Sequence, residues 1–209
     1  MRRYALIARS LLERGRFAWL RARHRGQLLV GAGVSPAFGR THLRIEPGGR
    51  LVLEDGCATE PQPGNRIWVH ADGLVVIGAG TWMRTEYGTN YVTAFAGAEL
   101  RIGPRAFVNG CMFHAKSRIQ VGADCLFGFG ARIVDADLHA LDVETPERID
   151  PIEIGDRVWI GADATVMRGV TIGDDTVVGA RSVVTRSLPA RVLALGAPAR
   201  PVREIGRRG

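Results

Sequence analysis

Near its C-terminal end the chain repeats itself every six residues: Ile160, Val166, Ile172, Val178 and Val184 form an unbroken series. Four residues after each of the first four stands a small or β-branched residue, Ala164, Val170, Thr176 and Ser182. A period of six fits neither the helical period nor the simple alternation of a strand. It fits a parallel β-helix, with one hexad for each flat side and three for each coil. The aliphatic residue points into a narrow core, the small residue fits a corner, and Gly, Asp or Asn takes the turn. The chain is therefore expected to be mainly β, a stack of coils.

The same rule runs upstream with less regularity. Aliphatic–glycine pairs recur at Ile77-Gly78, Ile102-Gly103, Val121-Gly122 and Ile154-Gly155. Ile102 and Val108 begin successive hexads, as do Val121, Phe127 and Ile133, with one residue slipped near Gln120. Farther back, Leu43–Ile45, Leu51–Leu53 and Val75–Ile77 read as looser coils. Coil starts at 102, 121, 154 and 172 lie 19, 33 and 18 residues apart. A coil takes about 18 residues, so about 15 are inserted between Ile133 and Ile152. That stretch is polar, holds two prolines, and is expected to leave the stack as a loop near residues 134–151. Loops thrown out of a rigid scaffold are where function concentrates.

Charge divides the chain. Residues 1–25 carry eight arginines against Glu13 alone, whereas residues 26–209 carry 20 basic and 20 acidic side chains. A neutral body excludes a uniformly basic nucleic-acid binder. The basic segment has helical periodicity, with Tyr4, Ile7, Ala8, Leu11, Leu12, Ala18 and Trp19 on one face and arginines on both flanks. It is too short in apolar residues to span a bilayer and is followed by no secretory cleavage site. Two readings stand: a helix lying on an anionic membrane surface, or one packed on the body with its arginines in water. The domain plan is a basic amphipathic helix over 1–26, a β-helix domain over 27–190 and a tail over 191–209. Cys57, Cys111 and Cys125 have no metal-ligand spacing and read as reduced, buried thiols of a cytoplasmic protein.

His139 stands at the head of the inserted loop, in Asp135-Ala136-Asp137-Leu138-His139. Imidazole is the side chain best suited to take a proton from a hydroxyl or amine near neutral pH. Around it lie Val108–Phe113, Val121–Gly128, Ile154–Ala162 (Ile-Gly-Asp-Arg-Val-Trp-Ile-Gly-Ala), Gly169–Asp174, Ser182–Arg186 and Gly196–Arg200. Taken in this order, these motifs resemble the hexapeptide-repeat acyltransferases, in particular the maltose, galactoside and polysaccharide O-acetyltransferases. The resemblance spans residues 108–205, with similarity of fold reaching upstream to about residue 40.

That resemblance implies a left-handed β-helix, a homotrimer with active sites between subunits, and acetyl-CoA as acyl donor, with no metal. His139 is the implied general base, activating an acceptor hydroxyl for direct attack on the thioester. Asn109 matches an asparagine that contacts acceptor or histidine, although a turn asparagine reads equally well. Asp135, Asp137 and His114 are candidates for the acceptor side. Trp159 matches a tryptophan near the thiol end of CoA. Arg186, Arg200 and Arg203 are candidates for its phosphates, because guanidinium binds phosphate through paired hydrogen bonds. Gly161, Ala162 and Ala180 would let the pantetheine arm approach the backbone, or simply pack turns.

The loop after His139 is shorter than in the maltose and galactoside enzymes, and one residue is inserted before the histidine, so the acceptor does not carry over. A sugar or glycan precursor leads; an amino sugar, an antibiotic or another secondary metabolite stays open. A trimeric carbonic anhydrase shares the implied fold but needs closely spaced histidines, and none of the five here are near neighbours. A non-catalytic scaffold would not need His139, Trp159 and the arginines together. The implied location is cytoplasmic, peripheral to the membrane if residues 1–25 dock there.

Overall fold

The computed structural model describes residues 2–208, with side chains from residue 11 onward. The expected side-chain placements of Tyr4, Ile7 and Ala8 lie outside the described residues. The body is a triangular stack of three parallel sheets. The first sheet runs from Leu28–Val30 to Thr171–Ile172, and the third from His42–Ile45 to Val183–Val184. The second runs from Ala58–Thr59 through Trp159–Ile160 and Val177–Val178 to Val192–Gly196, and ends on Ala199–Glu204, its one antiparallel strand. Each coil therefore contributes one short strand to each side, as the hexads require.

The repeat explains the packing. Ile160, Val166, Ile172, Val178 and Val184 are all buried in the core, and Ala164, Val170, Thr176 and Ser182 fill its corners. At mid-stack the core holds Phe113 and Phe127, both fully buried and meeting edge to face with centroids 5.1 Å apart. Upstream the coils are longer. Register partners Leu28–Leu51, Leu51–Val75 and Val75–Leu100 are 23 to 25 residues apart, whereas Ile154 and Ile172 are 18 apart. The slip near Gln120 appears as the 19-residue step from Leu100 to Ile119. The insertion falls between strands Arg132–Val134 and Ile152–Ile154.

The N-terminal helix, α1 (Arg2–Arg23), seats on the short 3₁₀ turn Pro36–Arg40 and closes the first coil. The face it buries is Phe17, Leu20 and, just beyond its end, His24, which join Leu28, Val34 and Phe38. Gly39 makes the close approach feasible: a Cβ there would lie 2.6 Å from the Phe17 backbone nitrogen. The described part of the expected apolar face turns outward: Leu11, Leu12 and Trp19 lie in water, 63%, 62% and 59% exposed. The helix has apolar residues on two sides, and the side that meets the body is Phe17 and Leu20.

The three cysteines are free and buried. Burial pushes the Cys57 thiol up to about 11 and those of Cys111 and Cys125 up to about 12. They are poor nucleophiles at neutral pH.

Candidate active site

The loop carrying His139 is a hairpin with a clamped neck. Ala136 bridges Ile149 in antiparallel fashion, Asp137 N–H donates to Arg148 O at 3.0 Å, and Asp150 N–H to Asp135 O at 2.9 Å. Asp135 is fully buried; its two carboxylate oxygens accept from the backbone N–H groups of Lys116 at 2.7 Å and Ser117 at 2.8 Å. Burial raises its pKa and those backbone donors oppose the rise. Asp137 accepts from Arg168 Nε at 2.7 Å, and Arg168 Nη1 donates to Asp150 at the same distance. The Arg168 hydrogen bond holds the Asp137 carboxyl below its ordinary range. Lys116 Nζ grips both Glu147 oxygens at 2.8 Å. Both carboxylates, expected on the acceptor side, are engaged within the chain in holding the loop to the stack.

Beyond the neck the loop enters solvent. Leu138 takes a left-handed backbone, φ 67°, and turns the chain so that His139 is exposed. Such a conformation is strained for a leucine and tends to persist where function needs it. The tip is closed by Asp142 Oδ1, which accepts from Glu144 and Thr145 N–H. Leu141 and Val143 are 84% and 102% exposed, so the tip offers apolar side chains to water. Among the described residues the His139 imidazole has no hydrogen-bond partner, and nothing links it to Asn109, Trp159 or the candidate arginines. Within one chain, the candidate base shares no contact with the candidate CoA residues among the described residues.

Asn109 ends a strand of the second sheet, beside Gly110, and its buried Oδ1 accepts no hydrogen bond. Trp159 lies on the outward side of the same sheet. In register with it run Trp82, Phe107, Leu126, Val177 and Leu193, an apolar stripe that ends at Arg203. Trp159 is 45% exposed, with the Arg208 guanidinium 5.7 Å above its ring. Arg186 and Arg203 are exposed and have no carboxylate partner among the described residues; Arg200 donates only to the neighbouring Ala199 carbonyl. The tail is thus an antiparallel hairpin that brings Arg203 onto the tryptophan stripe. Arg157, paired with Asp175 at 2.7 Å, fixes its end, because Asp175 also accepts from Arg208 N–H.

Gly161 has a structural duty. A Cβ added there would lie 2.6 Å from the Ala180 backbone nitrogen. The glycine lets consecutive turns touch, so it faces the next coil; Ala162 is partly covered and Ala180 exposed. Gly161→Ala is expected to destabilise the fold by about 1–3 kcal/mol through overpacking, read by urea denaturation with no ligand present. A stability unchanged from wild type would return Gly161 to the ligand surface. His114 belongs to another place, a groove on the third sheet. Among the described residues no group of three His, Cys, Asp or Glu side chains gathers as a metal cluster.

Sequence reasoning missed Arg168, Arg208 and that groove. Arg168 occupies an ordinary turn position, Arg208 follows the last hexad, and the groove is built from outward positions on which the repeat places no constraint.

The coil architecture and the motif order define a hexapeptide-repeat protein with a left-handed β-helix, and the bacterial transferase hexapeptide family (six repeats) matches residues 151–186. The chain is thus similar to the hexapeptide-repeat acyltransferases. A putative acetyltransferase of Schizosaccharomyces pombe is 38% identical over 114 residues, 52% of this chain and 55% of that protein. The galactoside O-acetyltransferase of Escherichia coli is 52% identical over 58 residues, 28% of this chain and 29% of that protein. The chain thus spans about half, or less, of the length of these curated relatives. Among solved structures, the polySia-specific acetyltransferase NeuO superposes with a TM-score of 0.72 at 20% identity, covering 87% of this chain and 84% of that one. That likeness is one of fold.

Proposed function

We propose that the protein is an acetyl-CoA-dependent O-acetyltransferase that acts on a hydroxyl of a sugar or glycan precursor. The observation that carries this reading is His139: an unpartnered imidazole, exposed on a loop whose neck is clamped by Asp135, Asp137 and Arg168. A general base needs a free nitrogen and a fixed position, and both are present. His139 takes the acceptor proton as the hydroxyl oxygen attacks the thioester carbonyl; the thiolate leaves and the acetyl ester forms, with no acyl-enzyme. Asn109 Oδ1, buried and open, suits a donor on the acceptor or on the imidazole. Trp159 with Arg203 and Arg208 offers an apolar platform edged by cations, which fits a pantetheine arm and phosphates, and Arg186 is a further candidate for a phosphate. The relatives' names support acetyl transfer, and one names a galactoside.

The separation of base and platform in one chain supports a site shared between copies. A homotrimer would bring the loop tip, with Leu141 and Val143, onto a neighbour's stripe around Trp159. Incubation of the protein with acetyl-CoA and a panel of mono- and oligosaccharides, read by CoA release and product mass, tests the reading. Acetylated product supports it. CoA binding without any transfer, or transfer to amines alone, overturns it in favour of a scaffold or an N-acyltransferase.

Acyl-CoA chemistry supports a cytoplasmic location. Among the described residues no helix is long and apolar enough to cross a membrane. The outward face of α1 supports contact with the membrane surface: Leu11, Leu12 and Trp19 are exposed and flanked by exposed Arg14, Arg16, Arg21 and Arg23. An apolar stripe between cations suits an anionic bilayer. Replacing Leu11, Leu12 and Trp19 together by Ser is expected to abolish co-sedimentation with phosphatidylserine vesicles and to leave thermal unfolding in place. Unchanged sedimentation would dismiss membrane contact.

A further inference from the structure

The first coils carry a groove on the outer side of the third sheet, a cavity of about 470 Å³ that ends at His114. Its volume falls in the range of ligand sites. Two outward rows run along it; the first lines it throughout, and the second lines it as far as Tyr91 and continues past it through Met112 and Arg132. In the first, Arg44, Trp68, Thr93 and His114 are in register on consecutive coils. In the second, His42, Arg66, Tyr91, Met112 and Arg132 are in register. The row from Arg66 to Arg132 crosses three strand spacings of about 4.8 Å, roughly 14 Å in all.

The rows differ in electrostatics. In the first, Arg44 caps the Trp68 ring at 4.6 Å, Trp68 stacks on His70 at 4.3 Å, and His70 stacks on Phe95 at 5.1 Å. This column is held from below by Glu46, which meets Arg44 at 3.2 Å, His70 at 3.3 Å and Trp68 Nε1 at 3.3 Å. It is a rigid wall, and aromatic edges carry positive potential. In the second row Arg66 and Arg132 are exposed and have no carboxylate partner among the described residues; Arg66 rests 5.9 Å from the Tyr91 ring. Two unsatisfied guanidiniums are thus spaced along one line, with an exposed tyrosine and a methionine between them. Neither the hexad nor the proposed chemistry requires this.

The line also leads somewhere. It reaches strand Arg132–Val134, from which the loop bearing His139 departs, and Val134 is the register partner of His114. We propose that this groove, together with the row that continues it to Arg132, binds an acidic oligosaccharide, the acceptor of the reaction, laid across the coils with sugar rings against Tyr91 and Trp68 and carboxylates at Arg66 in the groove and Arg132 beyond it. The proposal rests on the acetyltransferase reading, because a base that activates hydroxyls makes a polyhydroxyl ligand the fitting occupant. The cations then select an acidic glycan over a neutral one.

The test is direct binding, without acetyl-CoA. The full chain is titrated calorimetrically with a galacturonate hexasaccharide and with maltohexaose, alongside Arg66→Ala/Arg132→Ala and Trp68→Ala variants whose melting and sedimentation are measured in parallel. The acidic ligand is expected to bind at least about tenfold more tightly than the neutral one. The arginine variant should lose that preference, and Trp68→Ala should weaken both ligands. Equal binding of the two saccharides would overturn the proposal. So would tighter binding of a nucleoside diphosphate than of galacturonate, or a change of oligomeric state in the arginine variant, which would make the face a contact between copies. Charge-selective binding without acetyl transfer would sink the acetyltransferase reading and leave the groove as a glycan site. Transfer without charge-selective binding would do the reverse.

Discussion

His139→Ala is expected to lower turnover by about 10²–10⁴-fold, the usual worth of a positioned general base, with CoA affinity retained. The measurement is CoA release with the best acceptor from the saccharide panel, beside a CoA titration of the same variant. The side chain is exposed and has no hydrogen-bond partner among the described residues, so its removal breaks nothing in the fold. A loss of rate then reports chemistry. Wild-type turnover in the variant would remove the imidazole from the mechanism and move attention to His114. That histidine is less suited to the task, because burial lowers its pKa and its ring is packed against Phe95.

The largest expected effect on stability lies at Phe127. Its ring is fully buried at mid-stack and meets Phe113 edge to face. Phe127→Ala removes the ring and leaves a hole that adjacent coils cannot close, because their backbones are fixed by ladders on all three sides. A loss of about 3–5 kcal/mol is expected, read by urea denaturation. A loss under about 1 kcal/mol would show that the coils collapse inward and that the core is softer than its packing implies.

The architecture was largely legible because the hexad is a geometric requirement. Ile160, Val166, Ile172, Val178 and Val184 had to be inward for any β-helix to close, and they are. The length of the insertion followed from the same arithmetic. The candidate site was legible only where a residue type suggests its chemistry, as with His139. The contacts of Asp135 and Asp137 were not legible for a physical reason: a carboxylate near a histidine has the same sequence appearance whether it lies open or caps backbone amides. Asp135 is fully buried and caps two of them. Which side of α1 docks was not legible, because Leu11, Leu12 and Trp19 offer one apolar side and Phe17 and Leu20 another, and the close approach at Gly39 selects the second. The groove was invisible because its members come from four coils, brought into line only by register.

The seating of α1 on the first coil bears on how copies of the chain can meet. A stack of parallel coils ends in unpaired edges, and such edges invite another stack to continue them. Here Phe17 and Leu20 plug the core at one end. At the other, Leu188 bridges Ile172 and the terminal hairpin turns antiparallel against Val192–Gly196. Growth along the axis into a fibre is blocked from both directions. Association is left to the flanks, where the tryptophan stripe and the histidine loop already lie.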